Sequence, residues 1–308
     1  MQKITPFLWF DDNAEEAVNF YISVFKNSKS GNATHYDEAG AEVSGRPKGS
    51  VMSIPFQLNG QEFVALNGGQ IFKFNPSVSF FLNFDPSKEE NTRKHLDDTW
   101  EKLSEGGATL MPLDKYPFSE RYGWIQDKYG ISWQLILTNP EGEKRPFIVP
   151  SFLFVGAVCG KTEEASDYYL SVFKNTKRGL IARYPTGLEP DKEGTIMYTD
   201  FMLENQWFAA MDSAHHHDFN FNEAISFMVN CENQNEVDHF WKKLSAVPES
   251  EQCGWLKDKY GLSWQIVPTE LGKLLSDPDP IKSQRVMKTM LQMKKIEIEG
   301  LRKAYNEK

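Results

Sequence analysis

A chain of 308 residues with 40% hydrophobic and 25% charged residues has the length of about two globular domains and the composition of an ordinary soluble fold. Its net charge of −9 argues against a general nucleic-acid surface. No apolar run approaches the ~18 residues of a membrane span, "FLFVGAVC" (152–159) being among the longest, so no membrane partner is expected.

Asp11 and Asp12 interrupt the N-terminal segment before a signal-peptide core could form, and Cys159, Cys231 and Cys253 are scattered without paired-cysteine metal spacing. The expectation is a cytoplasmic protein with reduced thiols. In chain order, "ITPFLWF" predicts a strand. Asn13 then stands as an N-cap with Glu15 and Glu16 in the first turn, and Ala17, Phe20, Tyr21, Val24 and Phe25 recur on one helical face. "SVMSIPFQL" and "QEFVALN" flank Asn59-Gly60, a hairpin signal. "SVSFFLNF" opens a second half, and "NTRKHLDDTWEKLSEGG" predicts a helix ending at glycine. "YGWIQDKYGISWQLIL" (122–137) reads as a hairpin whose Asp127-Lys128-Tyr129-Gly130 turn places glycine where a left-handed residue is needed.

The same order then repeats. "AEEAVNFYISVFKNSK" (14–29) matches "TEEASDYYLSVFKNTK" (162–177) at ten of 16 positions, and the closing hairpin matches "CGWLKDKYGLSWQIVP" (253–268) at nine of 16. "FVALNGG" and "SFFLNFD" echo in "FAAMDSA" and "SFMVNCE". Four landmarks in one order mean a duplicated domain, the second copy lacking the segment that "GATLMPLDKYPFSERY" (107–122) supplies in the first. The expected organisation is α+β: a first domain at 1–138, a linker at 139–148, a second domain at 149–270, and a tail at 271–308. "DPDPIKSQRVMKTMLQMKKIEIEGLRKAYNEK" reads as one long amphipathic helix docked on the protein's own surface.

Two halves of β-α-β-β-β in each copy resemble the vicinal oxygen chelate superfamily of glyoxalase I, bleomycin-resistance proteins and extradiol dioxygenases. More narrowly, "LWF…AEEAVNFYISVF", "FVALNGG", "SFMVNCENQNEVDHFWKKLS", "QCGWLKDKYGLSWQIVP" and the tail resemble the PhnB-like family, often labelled 3-demethylubiquinone 3-methyltransferase-like. The resemblance implies that two modules form an open, half-barrel-like sheet around a cavity. It also implies that such domains pair, so a tandem chain makes its own pseudo-dimer and leaves a homodimer open.

In metal-dependent relatives four cavity-facing strand positions carry His and Glu. The resemblance puts them here near Pro6 and Pro150, Asn67 and Asp212, Ser79 and Ser226, and Gln134 and Gln265. Proline, serine and a neutral amide are poor transition-metal ligands, so neither metal nor other cofactor is expected. In "SWQLI" alternation sets Ser132, Gln134 and Ile136 on one face. The glutamines either recognise a polar ligand or satisfy a buried backbone group. Trp9, Trp124 and Trp255 are wall candidates or core residues. Cys253, standing where the first copy has Tyr122, is a further candidate, and "AHHHDF" (214–219) reads as an inserted loop. The expected function is binding of a small organic ligand, with a metal-dependent lyase, isomerase or dioxygenase as the alternative. Methyl transfer is disfavoured, because no G-x-G run opens a helix.

Overall fold

The computed structural model describes residues 2–307. The first repeat contributes β1 (Ile4–Phe10), α1 (Ala14–Val24), the short β2 (Lys29–Ser30) and β3 (Thr34–His35), α2 (Glu38–Ser44), β4 (Val51–Leu58), β5 (Gln61–Asn67), β6 (Val78–Phe84), α3 (Thr92–Ser104), β7 (Ala108–Tyr116), β8 (Ser119–Gln126) and β9 (Ser132–Leu137). The second adds β10 (Ile148–Phe154), α4 (Thr162–Val172), β11 (Lys177–Arg183), β12 (Ile196–Leu203), β13 (Gln206–Asp212), β14 (Ile225–Cys231), α5 (Gln234–Leu244), β15 (Trp255–Lys257) and β16 (Ser263–Pro268). The tail forms α6 (Thr269–Leu275), α7 (Pro280–Leu291) and α8 (Ile298–Asn306). None of these helices is long and apolar enough to cross a membrane.

The strands form two eight-stranded sheets that both mix the repeats: the first takes five strands from the first repeat and three from the second, the second takes four from each. The first sheet runs β15-β16-β14-β1-β5-β4-β2, with β3 also on β4; the second runs β11-β12-β13-β10-β6-β9-β8-β7. At the centre of the first, β1 pairs antiparallel with β14, Thr5 opposite Met228 and Phe7 opposite Ser226. At the centre of the second, β10 pairs antiparallel with β6, Ser151 opposite Ser79. The boundaries 1–138 and 149–270 therefore delimit repeats in sequence, while the compact bodies cut across them. One holds residues 1–22, 27–73 and 222–308, the other 23–26 and 74–221.

Local chemistry explains the elements. Asn59 and Gly60 both take positive φ, as a two-residue turn joining right-twisted strands requires. Asp127 accepts from the backbone N–H groups of Tyr129 and Ile131 and from Trp133 Nε1. Asp258 does the same for Tyr260, Leu262 and Trp264. Much of the phrase that the sequence repeats is thus an anchored turn, with its Trp in the core. An unexpected helix, α2, is capped by the Asp37 side chain on Gly40 N–H.

The tail is helical, but three helices replace the expected single one. The Asp277-Pro278-Asp279-Pro280 run separates α6 from α7, whose first amides are capped by Asp279, and an irregular turn at 292–297 separates α7 from α8. In that turn the Met293 and Lys294 carbonyls accept from the backbone N–H groups of Cys253 and Gly254. They occupy donors at the edge of β15, where the second sheet has its β7–β8 hairpin. Val286, Ile296 and Leu301 bury themselves with Leu271 and Val267, and α7 touches α2.

Candidate functional site

Each sheet buries one face under the helices of the repeats and turns the other away from them, a face called helix-free below although the tail packs on its rim at Val267 of the first sheet. On β1 the alternation buries Ile4, Leu8 and Phe10 and leaves Phe7 and Trp9 half-buried on the helix-free face. Register carries that face outward to Val64 and Leu66 on β5, Ser226 and Met228 on β14, and Ser263 and Gln265 on β16. Trp255 lies across the ladder from Gln265, and its ring meets Phe7 and Trp9 edge-on at 5.8 and 5.9 Å. On the second sheet the matching face presents Ser79, Phe81, Ser132, Gln134, Tyr122, Trp124, Val149 and Ser151.

Asn67 and Asp212 are corrections to the sequence reading. Asn67 pairs with Phe10 and shares its helix-side face, where its Oδ1 accepts from Ala14 N–H at the start of α1 and its Nδ2 donates to the Val51 carbonyl. Asp212 pairs with Phe154; its carboxylate accepts from the N–H groups of Gly160, Thr162 and Ile196 and from the Thr162 hydroxyl. Both are structural acceptors for a helix start. Pro6 sits opposite Phe227, a fully buried core residue, and so points to the core as well.

The two glutamines differ. Gln134 is fully buried, with Nε2 donating to Ser79 Oγ at 2.8 Å and Oε1 accepting from the Tyr122 hydroxyl at 2.6 Å. Burial raises the Tyr122 phenol well above its ordinary pKa, so it stays a proton donor. Gln265 Nε2 donates to Ser226 Oγ at 2.9 Å, but its Oε1 meets no donor among the described residues. Whichever way round that amide is set, one end remains for a ligand. Each sheet also buries one serine hydroxyl without a partner among the described residues, Ser263 on the first and Ser151 on the second.

The wider faces differ in the same sense. On the second face Phe81, Tyr122, Val149, Trp207 and Ala209 form a buried cluster, with Met111, Tyr116 and Trp124 packed against it. Trp124 Nε1 is spent on Ser132 Oγ at 2.7 Å. The first face instead holds an open groove of about 390 Å³ bordered by Thr5, Gln57, Glu62, Val64, Met228 and Asn230.

Cys253 does not lie on the ladder that carries Tyr122. It takes φ +52 in the turn before β15, and burial raises its thiol pKa, which keeps it protonated. His215, His216 and His217 lie on a loop, as expected. His217 Nε2 meets Ser213 Oγ at 2.9 Å, and His215 Nε2 lies 3.5 Å from Asp191. Among the described residues no group of three or more His, Cys, Asp or Glu is placed to hold a metal ion. At the centre of the first helix-free face the four strands offer Phe7, Leu66, Ser226 and Gln265. That donor set does not fit a catalytic transition metal.

A family model described as 3-demethylubiquinone-9 3-methyltransferase matches residues 2–136 and 146–267. The chain belongs to this family. It is the PhnB-like family of the motifs above, and its two matched segments fall one on each repeat. A putative 3-demethylubiquinone-9 3-methyltransferase, PhnB protein, from Bacillus cereus is 42% identical over 44% of this chain and 100% of its own, with a TM-score of 0.39. A protein of known structure from Pseudomonas aeruginosa is 20% identical over 45% of this chain and 98% of its own, TM-score 0.36. A glyoxalase I mutant from Zea mays is 12% identical over 86% of this chain and 94% of its own, TM-score 0.47. No protein of curated function matches this PhnB-like chain.

Sequence reasoning did not single out Glu62, Gln57 and Met228, which border the groove. The signal was present: "QEFVALN" aligns Glu62 with Trp207 of "QWFAAMD", a change from indole to carboxylate between the copies.

Proposed function

We propose that this PhnB-like protein binds a small organic molecule on the helix-free face of its first sheet, without a metal ion, and that the matching face of the second sheet is structural. The observation that carries this is the contrast between Gln265, with one amide end unspent, and Gln134, tied at both ends by Tyr122 and Ser79. A pocket that is mainly apolar with a few convergent polar groups is what a small ligand needs. Phe7, Trp9 and Trp255 supply flat walls, while Gln265 and Ser226 supply orientation. Nothing in this set is an activated nucleophile or a tuned acid–base pair, so the reading is recognition rather than a named reaction.

The test is a screen of aromatic fragments followed through the tryptophan indole N–H resonances. Hits should move Trp9 and Trp255 and leave Trp124 in place, and Gln265→Leu should weaken them. Hits that move Trp124 instead would put the site on the other sheet and overturn the proposal.

A further inference from the structure

We propose that the ligand of the first sheet is an organic cation, an amine or guanidinium on an apolar body, and that Glu62 selects it. This rests on the reading of the first sheet as the binding face. The residues that border the groove form a transverse row fixed by register. Lys29 stands opposite Gln57, Gln57 opposite Glu62, Thr5 opposite Met228, and Met228 beside Gln265. The same row on the second sheet reads Lys177 opposite Met202, Met202 opposite Trp207, Val149 opposite Phe81, and Phe81 beside Gln134. Alignment of the repeats equates Gln57 with Met202, Glu62 with Trp207, Thr5 with Val149, Met228 with Phe81, and Pro55 with Asp200.

The second sheet carries its own occupant of this place. The Arg145 guanidinium lies 3.7 Å from the Trp207 ring centroid and makes two hydrogen bonds to Asp200, at 2.7 and 3.2 Å. A planar cation is thus held at the positions equivalent to Glu62 and Pro55, with the indole face and a carboxylate as its partners. On the first sheet that place is the open groove. Its carboxylate has moved by one strand, from the Asp200 position to Glu62, and Glu62 forms no ion pair among the described residues. Lys29 at the rim does not defeat a cation, since its counterpart Lys177 stands 5.8 Å from the same Trp207 ring beside Arg145. The other lysine on this face, Lys257, is neutralised by Glu223 at 2.8 Å. Val64, Met228 and Phe7 then receive the apolar body.

The probes are 2-phenylethylamine, 2-phenylethanol and 3-phenylpropionate, three charges on one body, titrated into the full chain and read by the backbone amide shifts of Glu62, Val64 and Met228. The amine should bind about fivefold more tightly than the alcohol, the propionate most weakly, as a partly exposed charge pair allows. Glu62→Gln, at a half-exposed side chain, should keep the fold and bring amine and alcohol to within about twofold. Equal binding of all three, or preference for the propionate, would overturn the cation and leave the binding face. Binding of none at about 10 mM would remove both.

Discussion

The distinction between the two glutamines can be measured directly by removing one oxygen. In Tyr122→Phe the ring stays in its cluster, but the 2.6 Å hydrogen bond to Gln134 Oε1 is lost and a fully buried amide oxygen is left without a donor. Stranding such a group costs about 1–3 kcal/mol, because its desolvation is no longer offset. For a body of this size each kcal/mol moves the midpoint by roughly 2–4 °C, so a fall of about 2–12 °C is expected in the transition of the second compact unit. The assay is calorimetry at neutral pH, where the phenol is protonated in both states. The control is Tyr122→Phe combined with Gln134→Met, which removes both partners and should recover part of the loss, a coupling read as a double-mutant cycle. Gln265→Met on the first sheet, where no oxygen bond exists to lose, should cost less than Gln134→Met. If Tyr122→Phe stays within about 0.5 kcal/mol of the parent, the amide is not held as described and the contrast between the faces collapses.

Asp212→Ala should destabilise by about 3 kcal/mol or more, since it strands the donors of Gly160, Thr162 and Ile196, yet leave fragment binding unchanged. A loss of binding without a loss of stability would return Asp212 to the ligand site. Dialysis against a chelator should alter neither the melting temperature nor fragment affinity; near-stoichiometric metal that is retained and then lost in Gln265→Leu would refute the donor-set argument. The tail should loosen in acid. The Asp238 carboxyl is lowered by its hydrogen bond to Lys295, Glu251 by Ser245 and then Lys294, and Glu270 by Arg302. Groups depressed in the folded state contribute stability that is present above the ordinary carboxylate range and lost as pH falls through their folded values. Hydrogen exchange at 293–306, corrected for intrinsic rates, should therefore rise below about pH 4 and stay flat from pH 6 to 8; a tail that loosens at alkaline pH first would contradict the assignment.

Much of the local fold was legible. The run "ITPFLWF" marks β1 to the residue, and Asn59-Gly60 and Asp127-to-Gly130 mark their turns, because those features depend on nearest neighbours. α2 was missed because Gly40 in its interior weakens the helical signal, and the Asp37 cap and buried Ala39 that offset it emerge only in context. The facing of Asn67 was readable and misread: Phe63, Ala65 and Asn67 share one parity, and the first two are core. Strand partners were not legible at all. β6 and β14 carry the same apolar pattern, so a local pattern states which face is buried but not which copy completes the sheet. The link between Tyr122 and Gln134 needed the ladder, since adjacent strands alone bring a phenol and an amide twelve residues apart into contact.

The cross-pairing of the repeats also sets an order of assembly. The second sheet is nearly continuous in sequence, within 74–221, and can close before the C-terminal strands have left the ribosome. The first sheet cannot. Its central pair joins Ile4–Leu8 to Ile225–Val229, so β1, β4 and β5 emerge early and must wait for a partner made last. Contacts that distant are slow to form and leave strand edges exposed meanwhile. β6, which follows the same apolar pattern as β14, is made before β10 and so is within reach of β1 while β1 still lacks its partner. The nascent chain thus has a kinetic choice between a self-contained half and the exchanged form, and the timing of β10 arbitrates it.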